Sequence, residues 1–241
     1  MEIELLQNAG TFEILTQREH LREQLLNIER AGRTCYQSDR HRVITRESAA
    51  RFCLMLIARG HESVLEHSSM TVRFDNHSRG FTHELVRHRL ASFSQESTRY
   101  VDYAVERNDV RAVVPPNVAS GDNWFSEGFR EAFFHYTELR EGGVPAEDAR
   151  QILPIGMKSE IVMTANLREW RHVFGLRCDK FAHWEIRRTM CRLLETCKHL
   201  LPGVFDDFVL GGEHRGVLFY VRKLPKGVLK RQLELAEVSD A

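Results

Sequence analysis

Apolar residues recur at helical spacing over Gln17–Ala31, where Leu21, Leu25, Ile28 and Ala31 form one stripe. That period predicts a helix with one buried face. A second helix is expected to start at Thr45 as N-cap, to carry Phe52, Met55 and Leu56, and to stop at Gly60. A threonine hydroxyl satisfies a free N–H at a helix start, and glycine takes the left-handed turn at its end. Met70, Val72 and Phe74 alternate with Thr71 and Arg73, the period of a half-buried strand. Ser78 is positioned to cap a helix carrying Phe81, Leu85 and His88. Segments 97–103 and 111–114 read as extended, the latter stopped by Pro115-Pro116.

Beyond these prolines the pattern is mainly helical. Phe125, Phe129, Phe133 and Tyr136 make an aromatic stripe, capped by Asp122 and ended by Gly142-Gly143. Pro145 suits the first position of a short helix that ends near Leu153-Pro154. Asn166 is read as the cap of a helix running to about Gly175. Ile186, Met190, Leu193, Leu194 and Cys197 mark a long helix that stops before Pro202. The last elements are a strand over 217–221 and a basic stretch with Arg222, Lys223, Lys226, Lys230 and Arg231. Helices outnumber strands without regular alternation, which predicts an α+β fold, helices packed around an antiparallel or mixed sheet.

Composition adds exclusions. The 241 residues carry 34 basic and 34 acidic side chains, a net charge of zero, where a protein bound to nucleic-acid phosphates usually shows a basic excess. No apolar run reaches the roughly 20 residues of a membrane span, and the first residues lack the basic-then-apolar order of a secretory signal. A cytoplasmic protein without nucleic-acid or membrane partners is expected. Five cysteines without a C-x-x-C pair argue against a disulfide framework or zinc knuckle and for buried reduced thiols. Of the 34 cations 28 are arginine, so their placement decides what they do.

The densest polar run is 87–100, RHRLASFSQESTRY. Three arginines, an imidazole and several hydroxyl and amide groups suit a phosphorylated, ring-bearing ligand: guanidinium forks hold phosphate, and neutral donors read the ring edge. If 87–89 ended a helix, their side chains would fan by about 100° per residue. The cluster His61, Glu62, Glu66 and His67 invites a metal, as in a metal-dependent phosphohydrolase. Two His six apart lie about 240° round a helix, however, and no zinc motif is matched, so no metal is expected. A polynucleotide-binding module using the arginine run and the basic tail is the other alternative, and the neutral net charge counts against it. Cys178, beside Arg177, reads as an inert thiol rather than a nucleophile.

These segments together resemble the flavin-dependent thymidylate synthases, whose signature is R-H-R, seven residues, then Ser, in fuller form R-H-R-x-x-S-x-N-x-x-S-x-R. Arg87-His88-Arg89, Ser92, Ser97 and Arg99 match it. In order, so do residues 28–35, Gly60-His61-Glu62 with Glu66-His67, Arg150 with Leu153-Pro154, the Asn166 region, and Leu176-Arg177 with Trp184-Glu185-Ile186. The likeness covers roughly residues 1–210, implying one catalytic domain there and a basic extension over 211–241.

The resemblance implies methylation of dUMP to dTMP with FAD as cofactor, NADPH as reductant, methylenetetrahydrofolate as one-carbon donor and no protein nucleophile. It also implies a homotetramer with sites shared between subunits. FAD contacts carried over are His61, Ser63, Arg87, His88, Arg89, Gln95, Asn166, Leu167, Arg168 and His172. Those for dUMP are Glu84, Leu85, Val86, Arg87, Gln95, Glu96, Ser97, Thr98, Arg99, Arg150 and Arg177. Arg177 would stabilise the anionic uracil and Ser97 would orient it; these are the expected catalytic residues. The signature's Asn is Ser94 here, the acid often found after it is displaced from Gln95 to Glu96, and a common Gln is Glu84, read as meeting a ring or ribose edge or pairing with His88 one helical turn on.

Overall fold

The computed structural model describes residues 3–35, 37–38, 43–105, 110–118 and 123–223. The first apolar stripe becomes α1 (Arg18–Thr34), which buries Leu21, Leu25 and Ile28. Its last buried position is Gly32 rather than Ala31. The reason is a close approach: a Cβ on Gly32 would lie 2.5 Å from Phe52 Cε1 of the next helix. That helix, α2 (Arg46–Ala58), starts as expected, with Thr45 Oγ1 accepting from the Ser48 N–H while Ser48 Oγ accepts from the Thr45 N–H. Gly60 follows with φ +73°, and a 3₁₀ turn covers Glu62–His67.

β1 (Glu4–Leu6) pairs in parallel with β5 (Arg111–Val113), Leu5 opposite Ala112. The four-stranded sheet has the order β2 (Thr11–Ile14), β3 (Ser69–Ser78), β6 (Lys158–Asn166), β4 (Ala91–Gln95). β7 (Phe208–His214) and β8 (Val217–Arg222) form an antiparallel hairpin whose register shifts between Leu210 and Gly212. The remaining helices are α3 (Arg79–Leu85), α4 (Asn123–Glu141), α5 (Ala146–Ala149), α6 (Leu167–Arg177) and α7 (Trp184–Leu200). This is an α+β architecture with parallel and antiparallel pairings. No helix among the described residues is long and apolar enough to cross a membrane.

Several expectations change. Ser78 caps α3, but the helix stops at Leu85, so His88 is not on it and residues 87–89 do not fan from a helix end. The i, i+4 geometry that would pair Glu84 with His88 is therefore absent. Residues 91–95, inside the polar run, form β4, and 97–103 turn rather than extend. Pro145 is the N-cap of α5, one residue before the expected position. Asp122 and the basic residues from Lys226 onward lie outside the described residues.

The chain divides into two compact units. The first takes residues up to Glu13, Arg73–Arg87 and Phe93–Met163. Its core joins Ile3, Val110 and Ala112 to the α4 stripe of Phe129, Phe133 and Tyr136. The second takes Ile14–Val72, His88–Ser92 and the chain from Thr164 on. Here Leu21, Leu25, Ile28, Trp170, Phe174, Ile186 and Met190 are all fully buried. Trp170 Nε1 donates to the Met70 carbonyl at 3.0 Å, so the indole N–H is satisfied in the core. Gly203 (φ +85°) closes the turn after α7, where a Cβ would sit 2.0 Å from the Ala50 carbonyl oxygen of α2.

Candidate active site

In the second unit a cavity of about 580 Å³ is lined by Glu62, Glu66, Leu90, Asn166, Arg168, Glu169, His172 and Arg222. α6 begins at its wall, with Asn166 Oδ1 accepting from the Glu169 N–H at 2.8 Å. Arg168 pairs with Glu66 on an exposed surface. Glu62 accepts from Arg222 Nη2 at 2.6 Å and from Arg171 Nη2 at 3.2 Å. Arg171 is fully buried and forks onto Asp207 through two bonds of 2.7 and 2.8 Å. Burial tends to raise the Asp207 and Glu62 carboxyls, and the two guanidiniums more than offset it, so both stay below the usual carboxylate range. Both are therefore anions at neutral pH.

Behind the cavity wall lies His88, 3% exposed. Its Nε2 accepts from Arg177 Nε at 3.0 Å, and its Nδ1 faces Glu169 Oε1 at 3.6 Å. Burial first, then the charges of Arg177 and His172, hold its pKa at about 4, so the ring is neutral at pH 7. The carboxyl of Glu169 is pushed up by burial. His88, Glu169 and His172 bring one ligand atom each within 4.8 Å of one another, a spacing that a metal ion could use. The Arg177 guanidinium already occupies His88 Nε2, and its charge opposes a second cation there. The acids of the His61–His67 cluster are paired with Arg168, Arg171 and Arg222 instead.

The cavity residues suit a dinucleotide cofactor. The volume lies within the range of ligand clefts, roughly 300–1,000 Å³. A helix N-terminus, Arg168 and Arg222 supply donors and positive charge for phosphates, and exposed Leu90 offers an apolar wall.

Of the ten residues expected at FAD, Asn166, Arg168 and His172 line this cavity. His88 lies behind it, its ring 5.7 Å from that of His172. His61, Ser63 and Arg89 are exposed in the same unit. The Leu167 side chain is fully buried in the core, so only its backbone is available to a ligand. Arg87 and Gln95 belong to the first unit. There Gln95 Nε2 donates to Thr82 Oγ1 at 2.7 Å and to Ser159 Oγ at 3.3 Å.

Most of the expected dUMP residues are also in the first unit. Glu84, Leu85, Val86 and Arg87 form the end of α3 and the turn after it, with Leu85 fully buried. Arg99 Nε pairs with Glu147 Oε2, Arg150 Nε donates to the Glu147 carbonyl at 3.0 Å, and Arg150 Nη1 donates to Thr98 Oγ1 at 3.3 Å. Arg99 thus meets an exposed carboxylate, and Arg150 a backbone carbonyl of the same residue and a hydroxyl. Ser97 Oγ accepts from the Arg99 N–H at 3.2 Å. Glu96 turns into the unit, accepting from Tyr103 Oη at 2.7 Å, with Lys158 Nζ 3.5 Å away. Arg177, the remaining residue, is half-buried at the end of α6 in the second unit. Cys178 is fully buried, its thiol pushed well up by burial and by neighbouring Cys191, which makes it inert. Cys53, Cys191 and Cys197 are likewise buried and free; only Cys35 departs, exposed beyond α1.

Sequence reasoning missed Glu169, Leu90 and Arg222 as wall residues, and weighed Glu62 and Glu66 only as metal ligands. Glu169 had one signal, its place three residues after the Asn166 cap. Arg222 had none, since it sits in a stretch without a recognised counterpart.

A family model described as "Thymidylate synthase complementing protein" matches residues 18–203. A flavin-dependent thymidylate synthase of Geobacter sulfurreducens is 38% identical over 185 residues, covering 73% of this chain and 78% of the relative. One from Pyrococcus horikoshii is 40% identical over 187 residues, covering 74% and 76%. The fold resembles that of a UMP/dUMP methylase PolB from Streptomyces cacaoi, solved with 5-Br dUMP, with a TM-score of 0.69 and 22% identity over 85% of this chain and 96% of that one. With its ordered arginine and histidine motifs inside the matched region, the chain belongs to the thymidylate synthase complementing family, the flavin-dependent thymidylate synthases.

Proposed function

We propose that this chain methylates C5 of dUMP to give dTMP, taking the one-carbon unit from methylenetetrahydrofolate and reducing equivalents from NADPH, with FAD as cofactor. The observation that carries this reading is the 87–99 motif inside a family match spanning residues 18–203. The uracil C5–H is exchanged for a methyl group while the folate leaves as tetrahydrofolate. Bound flavin supplies the hydride-transfer chemistry that brings the transferred carbon to the methyl level.

The protein's own contribution is electrostatic. Arg99 and Arg150 hold the phosphate, which replaces the Glu147 carboxylate on Arg99. Ser97 orients the pyrimidine and attacks nothing. Arg177 stabilises negative charge on the N3/O2 edge; a donor of this kind contributes about 3 kcal/mol at comparable oxyanion sites. Asn166, Arg168 and His172 hold the cofactor, with Arg87, Arg89, His61, Ser63 and Gln95 as further contacts and the Leu167 contribution restricted to its backbone. Glu84 to Val86, Gln95, Glu96 and Thr98 complete the nucleotide contacts. The catalytic domain runs past the expected boundary at residue 210 through the β7–β8 hairpin, since Arg222 lines the cavity, and the working assembly is a cytoplasmic homotetramer with shared sites and no nucleic-acid partner.

The test is conversion of dUMP to dTMP by the purified, FAD-reconstituted protein, followed by chromatography, with the flavin absorbance recorded before and after dUMP. Product formation and a shifted flavin band are expected. A protein that stays colourless after reconstitution overturns the reading. Arg177→Ala should abolish turnover, whereas Cys178→Ala should leave it intact. Loss of activity in a folded cysteine variant would require a thiolate mechanism instead.

A further inference from the structure

We propose that Glu169 is a positioning residue for this reaction: its carboxylate takes the Nδ1 proton of His88 and so fixes the tautomer whose Nε2 holds Arg177. The proposal rests on the reading of Arg177 as the group that faces uracil.

The geometry narrows the choices for His88. Arg177 Nε donates to its Nε2 at 3.0 Å. A nitrogen that accepts carries no proton, so a neutral ring must carry its proton on Nδ1. The group opposite Nδ1 is Glu169 Oε1, 3.6 Å away. Both residues are buried, His88 at 3% and Glu169 at 6% exposure. Arg177, Glu169 and the His172 ring are the titratable or charged groups that face the imidazole. Because burial and the neighbouring Arg177 charge hold the ring's pKa near 4, it is the neutral ring that must be oriented at working pH.

Glu169 is built to do this. Its backbone N–H is tied to Asn166 Oδ1, which fixes its position in the first turn of α6. The 3.6 Å separation is longer than an ordinary hydrogen bond, as catalytic contacts often are before substrate arrives. The opposite tautomer would present an Nε2–H to the Arg177 Nε–H, two donors face to face. Arg177 would then lose this bond, and with it a constraint on the aim of its guanidinium. Partners that orient a functional imidazole commonly change activity about 10–100-fold when removed, as outer partners of metal ligands do.

The experiment uses the FAD-bound full chain with ¹⁵N-labelled histidine. His88 is assigned by comparison with His88→Asn, and its tautomer is read at neutral pH from long-range ¹H–¹⁵N couplings. A ring protonated on Nδ1 alone is expected in the native chain and in Glu169→Gln, whose amide oxygen still accepts. Glu169→Ala should show a mixed or Nε2–H ring. In parallel, kcat for dTMP formation should fall about 10–100-fold in Glu169→Ala and return to within a few-fold in Glu169→Gln, with KM for dUMP changing less and the flavin spectrum unaltered. An Nε2–H or doubly protonated His88 in the native chain overturns the proposal, as does an unchanged tautomer or unchanged kcat in Glu169→Ala. A native chain with the Nδ1–H ring but no dUMP methylation would fail the functional reading and leave the tautomer assignment standing.

Discussion

Two arginine clusters, one in each unit, use the same guanidinium fork in opposite ways. In the second unit Arg171 is fully buried, bonded to Asp207 twice, to Glu62 and to the Val204 carbonyl. In the first, Arg99 pairs with the Glu147 carboxylate at the surface, 55% and 44% exposed, while Arg150 bonds the Glu147 backbone carbonyl and Thr98 Oγ1. Desolvation makes the first set of partners permanent, because either charge left alone inside the protein is costly. Water screens the second set, so its carboxylate can be exchanged for a ligand phosphate at little expense. Arginine count therefore says little about function; exposure of the counter-charge says more.

The sharpest way to break this contrast is Arg171→Leu, which removes two of the guanidinium bonds to buried Asp207 and leaves it the half-exposed Arg222. It should lower unfolding stability by about 3–5 kcal/mol, read by chemical denaturation. Next comes acid. The folded pKa of His88, about 4, lies below its unfolded value near 6.5. The unfolded chain therefore binds the extra proton first. This contribution to stability is present above pH 6.5 and is lost as pH falls from 6.5 through 4, on the order of 3 kcal/mol in all. Folded His88→Gln protein should lack that part of the slope in pH-dependent denaturation. Arg150→Ala should weaken dUMP binding by roughly 10–100-fold, the worth of charge-assisted bonds at about 1.5–3 kcal/mol, while Tm stays close to the native value. The smallest effect belongs to Glu147→Gln: stability should move by less than about 1 kcal/mol, and dUMP titration should show binding equal or tighter. A large stability loss in this last variant would erase the distinction between the clusters.

The helices were largely legible because their signals are local. The Thr45 cap, the Ser78 cap, the Asn166 cap and the stripe of α7 each need only a few neighbouring residues. β6 was missed because its buried face reads Ser159, Ile161, Met163, Ala165; a small polar and a small apolar residue at the ends hide the period of two. β4 was not anticipated because its alternation is short and weak: no residue of 91–95 is fully buried, and Phe93 is the one large apolar side chain among them. The motif at 87–99 named the family, but its path could not be read, because where a chain leaves a helix and enters a strand depends on tertiary pairing. The partners of Glu62 and Glu66 come from residues more than 100 positions away, beyond any local pattern.

The close fit of Gly203 against Ala50 has a practical side. The matched family region ends at this residue, an inviting place to trim the chain for crystallisation or fusion. A cut there would free the glycine that seats against Ala50 of α2 and would discard Asp207 with it. The shortest workable version of this enzyme therefore has to extend through the hairpin, to Arg222 at least.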